Sequence, residues 1–434
     1  MTETAGPLDR KFAGDTAWNY GAFALMAGTG VILNFFIAAH FGTAALGVFN
    51  QIYAVYIVSA QLAVFGIHDS AQKYVAQFGD DPATRQTAAR AASLAGAGIG
   101  IAVALAIGLS AGPIGELAES PAVGQGVALA APGLALFALN KVLMGILNGE
   151  RRMRAFAVIQ GVRVLAILAF VLLTARMAWP PHLFGAAFTV AEAIIVVPLL
   201  VLVRPWRRDG AAGEGTREWL RRHLDFGAKA LPNGFLAESY IRVDVLMLAL
   251  FVDDAAVGVY SFAAMFIEGL YQVPVVIRTV VNPVLVKLVG GDDRAALGRF
   301  GRRIMVISLA VFIAAAGAVH LVFPHLAPYF PDGLVAGAAP VLVTLTAGLA
   351  IYAAFVPLDF VLLQADRPGR QSLLMGFNIA VNAALNLALI PRYGIEGAAL
   401  ATAVSFALSA LTLNAATWIW LGMPGGLLFG GRGR

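Results

Sequence analysis

Ten charged residues interrupt long apolar stretches of this chain: Lys141, Arg163, Glu192, Lys229, Glu238, Arg242, Asp244, Glu268, Arg278 and Asp359. Five are basic and five acidic, so two chemistries are open to them. Arginines in such settings suit phosphate, because the planar guanidinium donates two parallel hydrogen bonds to its oxygens. Carboxyls such as Glu192, Asp244 and Glu268 can take up a proton or Na⁺. The competing reading is that acids and bases pair with one another and hold helices together. Polar neighbours extend the set. Glu268, Tyr271, Gln272, Arg278 and Asn282 fall within about a third of a helix circumference at 100° per residue. Lys229, Asn233, Tyr240 and Asp244 form one stripe, and Glu238 and Arg242, spaced i,i+4, can pair on the opposite face. Gln61 and Gln272 occupy equivalent places in two similar segments.

The surrounding composition says what must position these groups. Of 434 residues, 59% are hydrophobic and 13% charged, and mean hydropathy is +0.79. Soluble chains carry about 25% charged residues, so lipid is the main solvent. There is no cysteine, which removes disulfides, thiolate nucleophiles and Cys-based metal sites. A membrane-spanning helix needs about 20 mainly apolar residues. Twelve such runs are present, at about 18–39, 44–67, 89–111, 122–148, 155–178, 183–203, 226–251, 256–286, 303–323, 335–363, 370–390 and 396–421. Pro232, Pro274 and Pro283 interrupt the seventh and eighth. Lys and Arg orient the chain: 23 fall at the termini and even-numbered loops, and only Arg176 and Arg392 in the odd-numbered ones. The expectation is an all-α integral membrane protein of the cytoplasmic membrane with both termini cytoplasmic, in which the net charge of +5 is a topology signal and not a nucleic-acid-binding one. Lys141, Arg163 and Arg278 then lie about 14 Å below the cytoplasmic boundary, close to the midplane. A lipid-exposed charge there costs roughly 3 kcal/mol, so most must face each other or a wet cavity.

The two halves repeat. Ala45-Leu46-Gly47-Val48-Phe49 matches Ala256-Val257-Gly258-Val259-Tyr260. Leu147 to Arg154 matches Leu363 to Arg370, with Arg-x-x-Arg in each, and Gly185-Ala186-Ala187 matches Gly397-Ala398-Ala399. The expected organisation is an N-lobe over 1–203, a basic cytoplasmic linker over 204–225 and a C-lobe over 226–434, two six-helix lobes related by a parallel pseudo-two-fold axis around a central cavity. Arg163 aligns with Asn378, so the repeat does not demand its charge.

These segments resemble the multidrug/oligosaccharidyl-lipid/polysaccharide (MOP) flippase superfamily, specifically its O-antigen and polysaccharide (Wzx-type) branch. The likeness rests on Ala45–Phe49 leading to Gly66-Ile67-His68-Asp69-Ser70, on Asp244-Val245-Leu246-Met247, on the repeated Arg-x-x-Arg loop, and on Asn382-Ala383-Ala384-Leu385-Asn386 running into Ile390–Ala399. It implies a non-enzymatic flippase that moves undecaprenyl-diphosphate-linked oligosaccharide by alternating access, with a cationic central cavity. On that implication Arg163, Arg278, Arg242 and Lys141 bind the pyrophosphate. Glu192, Asp244, Glu268 and Glu238 are left as coupling candidates, with Gln61, Gln272, Tyr271 and Asn282 as polar lining. Membrane lipid, a polysaccharide polymerase and glycosyltransferases are implied partners of a monomer; no cofactor beyond a coupling ion is implied. The alternative is a cation-coupled exporter of the multidrug and toxin extrusion (MATE) branch, whose members also have twelve spans. Gly96-x-Gly98-x-Gly100 lies in apolar helix and reads as helix packing, not a dinucleotide loop. The six histidines lack metal-ligand spacing, and the Asn378, Asn382, Asn386 ladder reads as interhelical glue. Asp359, after Pro357, reads as structural.

Overall fold

A computed structural model describes residues 7–206, 215–290, 294–423 and 425–429. Among them the regular structure is helical throughout: α1 (Pro7–Phe41), α2 (Thr43–Val64), α3 (Ile67–Gln77), α4 (Pro82–Leu117), α5 (Pro121–Gly149), α6 (Met153–Arg176), α7 (Phe184–Val203), α8 (Thr216–Leu248), α9 (Asp254–Gly290), α10 (Arg294–Val322), α11 (Leu334–Ala353), α12 (Val361–Gln364), α13 (Pro368–Leu421) and α14 (Gly426–Phe429), with short 3₁₀ turns between some of them. Local chemistry starts several of these. Asp81 caps α4 by accepting from Thr84 N–H, and Ser120 caps α5 by accepting from Val123 N–H; a proline occupies the first turn of each.

Ten of the described helices are long and apolar enough to cross a membrane. One of them counts twice. The 54 residues of α13 would run about 81 Å if straight, but Gly394, at φ 56° and ψ −132°, breaks the helix just after Pro391. The twelfth crossing is α8, whose apolar run is interrupted by the charges along its length. Two details depart from the sequence reading. The stretch after the second span contains α3, introduced by positive φ at Phe65 and Gly66 and burying Ile67, Ala71 and Val75. The tenth span is not one helix. After α11 the backbone tightens into a 3₁₀ turn at Val356–Leu358 before α12, because Pro357 has no N–H to continue the ladder.

The chain divides into two compact units, one of residues 1–41 and 48–238, the other of 42–47 and 239–434. The division falls inside α8. Residues 207–214 of the expected linker lie outside the described residues; 216–225 form the first turns of α8 and bury Trp219 and His223 in unit 1. Unit 1 is built on α4 against α5 and α5 against α7, with Ile67, Val142, Ile146, Ile195 and Leu199 in its core. Gly96 and Gly100 face α5: a Cβ on either would come within 2.8 Å of Val142 or 2.7 Å of Ala138. Gly98 faces open space, so the glycine run packs helices at i,i+4 spacing. In unit 2, α9 and α13 pack on α11, and Leu285, Leu297, Leu358 and Val361 are fully buried.

Both halves repeat one turn in detail. Arg152 and Arg367 are the N-cap residues of α6 and α13, each following a residue of positive φ, Arg151 or Asp366. Arg152 donates to Leu202 O and Arg367 to Trp420 O. The structural offset is 215, one less than the sequence alignment of the Arg-x-x-Arg loops, so Arg152 and not Arg151 is the counterpart of Arg367.

Candidate functional site

In unit 1 the charged groups converge on Glu192, which α7 buries to 2% exposure. Nε of Arg163, from α6, lies 2.8 Å from Glu192 Oε1. The approach is off the N–H axis, so it is an ion pair without an aligned hydrogen bond. Asn140, from α5, donates to Glu192 Oε2 and to its backbone oxygen, both at 2.9 Å. The guanidinium of Arg163 sits 4.7 Å above the Phe137 ring, and Nη1 reaches Gln160 Oε1 at 3.4 Å. Three helices thus meet on one carboxylate.

Unit 2 holds two further ion pairs and a different kind of acid. Arg242 of α8 pairs with Glu268 of α9 at 3.0 Å, and the Glu268 side chain stays 45% exposed. Arg278 of α9 donates through Nη1 to both oxygens of Asp359, at 3.1 and 2.9 Å, and lies 4.3 Å from the Phe360 ring. The break after α11 brings that carboxylate to α9, and burying a charge requires such a partner. Asp244 differs. It is buried, and its hydrogen-bond partners among the described residues are neutral: Tyr260 donates at 2.8 Å and Thr402 at 2.6 Å to Oδ2, while Asn386 donates at 2.8 Å to Oδ1. Asn382 joins the cluster through Asn386, and Asn386 Oδ1 is enclosed without a hydrogen-bond partner among the described residues.

The remaining sequence candidates scatter. Lys141 is half-buried next to Asn140 and acts electrostatically on His68. Gln61 and Tyr271 are half-buried and Gln272 exposed. Asn282 is half-buried, with Oδ1 enclosed and unbonded among the described residues. The side chain of Glu238, and with it the i,i+4 pair expected with Arg242, lies outside the described residues. Lys229 is exposed. Arg163 and Lys141 belong to unit 1, and Arg242 and Arg278 to unit 2. Sequence reasoning missed Asn140, Tyr260 and Thr402, and set Asp359 aside as structural; each is read only through its partner. The Asn382 and Asn386 ladder was the available signal for the Asp244 cluster.

The model of the family described as polysaccharide biosynthesis protein matches residues 13–289. The chain belongs to this family. No curated protein matches it by sequence. Among solved structures it is similar to the lipid II flippase MurJ in an inward closed conformation, with a TM-score of 0.74, 14% identity, and 93% of this chain and 87% of that one covered. It is similar also to an inward-facing MATE-family multidrug resistance transporter of the MOP superfamily, with a TM-score of 0.72, 14% identity, and coverage of 93% and 94%. A MOP superfamily transporter from Pyrococcus furiosus matches at a TM-score of 0.59, again at 14% identity, over 95% and 96% of the two chains. The fold is that of MOP superfamily transporters, and this member of the polysaccharide biosynthesis family is a multi-pass membrane protein. The TM-scores to MurJ and to that MATE transporter lie within 0.02 of each other, so fold alone does not divide flippase from drug exporter.

Proposed function

We propose that this protein translocates lipid-linked oligosaccharide, of the undecaprenyl-diphosphate type, across the cytoplasmic membrane for cell-surface polysaccharide synthesis, with both termini cytoplasmic. The observation that carries this reading is that a member of a polysaccharide-biosynthesis family keeps Arg163, Arg242 and Arg278 in its membrane spans. Among the described residues Asp359 engages only Nη1 of Arg278, which leaves Nε and Nη2 for phosphate oxygens, and a diphosphate competes for a guanidinium on the same terms as a carboxylate. Arg242 is a further cationic candidate within unit 2, and Arg163 and Lys141 are the cationic candidates within unit 1. Transport proceeds by alternating access.

Asp244 is the proposed coupling site for a proton or Na⁺. A hard cation takes oxygen ligands, and Asp244, Thr402, Tyr260 and the unpartnered Oδ1 of Asn386 supply them within one cluster. The test is a proteoliposome assay with purified protein and fluorescent undecaprenyl-diphosphate oligosaccharide, with and without a proton or Na⁺ gradient. Flipping that is lost in Arg278→Ala and Arg163→Ala proteins that still insert and fold supports the reading. Export of amphiphilic cations without any movement of the lipid-linked sugar overturns it in favour of a MATE-like antiporter.

A further inference from the structure

At the basic end of unit 1, a second cationic feature stands apart from the buried ion pairs. Two recesses of about 400 and 470 Å³ flank Arg152. Together they are lined by five arginines, Arg85, Arg151, Arg152, Arg154 and Arg204, against one acid, Glu150. Arg152 is committed to the fold: its Nη1 donates to Leu202 O at 2.8 Å and contacts Glu150 at 3.3 Å. Arg151 and Arg154 are exposed, so their charges are offered outward from the α5–α6 turn.

The larger recess is not a purely polar one. Met153, Ala155 and Val158 form its apolar wall, and Val158 begins a stripe on α6, with Val162 and Leu165, whose side chains are 46%, 39% and 47% exposed. Residues at i, i+4 and i+7 share a helix face, so an exposed apolar stripe leads from the arginines toward the middle of the span. Two tryptophans mark the depth. Trp18 is exposed and lies 5.4 Å beneath Arg154, and Trp206 is exposed two residues beyond Arg204; such rings settle at the membrane–water interface. A ligand for this place needs an anionic head at interfacial depth and an acyl tail along α6.

We propose that the α5–α6 turn binds the phosphodiester headgroup of an anionic phospholipid, in the leaflet that the charge asymmetry makes cytoplasmic. Basic recesses between helices at that depth suit such headgroups. The site stands independently of the transport reading and needs no flipping to be observed.

The test is native mass spectrometry of the full-length protein from nanodiscs, with phosphatidylglycerol compared against phosphatidylcholine, and inorganic phosphate as competitor. Preferential retention of phosphatidylglycerol is expected, falling about fivefold for each arginine removed in R151Q, R154Q and the double variant. Arg176→Gln, at the opposite end of α6, should leave retention unchanged, and an unaltered melting temperature shows that the variants are folded. Equal retention of the two lipids, or full retention by the double variant, overturns the proposal. Displacement of phosphatidylglycerol by millimolar phosphate also overturns it, because the site would then take the anion without the tail.

Discussion

Glu192 in unit 1 and Asp244 in unit 2 are both buried carboxyls on membrane-spanning helices, yet their surroundings are opposite. Glu192 sits against a guanidinium and an amide; Asp244 sits among two hydroxyls and an amide. A carboxylate held by a cation is a strut, since losing either partner strands the other in low dielectric. A carboxyl held by neutral donors has no such obligation. Hydroxyls rotate to donate or accept, so the same shell tolerates both a charged and a neutral occupant. The comparison separates a residue that fixes three helices from one whose shell imposes no fixed charge on it.

The sharpest way to break the comparison is to neutralise both acids. Glu192→Gln leaves Arg163 buried without a counter-charge and should lose about 3–5 kcal/mol; Asp244→Asn should lose no more than about 1.5 kcal/mol, its amide taking over part of the network. Differential scanning calorimetry in detergent reads both, and equal destabilisation would end the distinction. Next in size is Arg278→Leu, expected to cost about 3 kcal/mol, most of which returns in the R278L/D359L double variant because two apolar side chains replace a buried ion pair. Failure of the second substitution to rescue would mean that Asp359 does more than balance the charge.

A third test concerns the basic end of unit 1. His223 is fully enclosed between Ser70 Oγ, 2.7 Å from Nδ1, and Ala88 O, 3.0 Å from Nε2. Burial lowers its pKa from 6.5 to about 4. The unfolded chain therefore binds the proton more readily, and the stabilisation is complete above pH 6.5 and drains away as pH falls toward 4, by about 3 kcal/mol at most. Hydrogen exchange should show α3 and the start of α4 opening first in acid, while unit 2 stays protected; His223→Gln should flatten that dependence. The smallest effect is expected at Arg242–Glu268. With its carboxylate side chain 45% exposed, Glu268→Gln should change stability by less than about 1 kcal/mol, and a loss as large as that of Glu192→Gln would put this pair in the same class as Arg163–Glu192.

Much of the architecture was legible because lipid imposes a length and a composition on every crossing. The twelve runs correspond to α1, α2, α4 to α11 and the two arms of α13, and even α8, with its charges, was found. What stayed hidden depends on partners distant in sequence. Arg278 and Asp359 are 81 residues apart, and no periodicity within α9 points to the turn after α11. Helical phase grouped Glu268 and Arg278 on one face, but each is claimed by a different neighbour. The i,i+4 relation between Glu238 and Arg242 was visible in one dimension, whereas Glu268, the acid paired with Arg242, belongs to the next helix. The short amphipathic α3 escaped because its three apolar contacts are spread among charged and polar residues. Pro357, near the end of the tenth run, was the one readable sign that this crossing is broken.

The charges of α8 carry a consequence for how the chain enters the bilayer during synthesis. Arg242 and Asp244 alone would add about 6 kcal/mol to the partitioning of that segment as a solitary helix. Glu268, which neutralises Arg242, and Tyr260, which bonds Asp244, both lie on α9. The two helices therefore have to leave the translocon as a hairpin, and a ribosome stalled before α9 emerges would leave α8 outside the lipid.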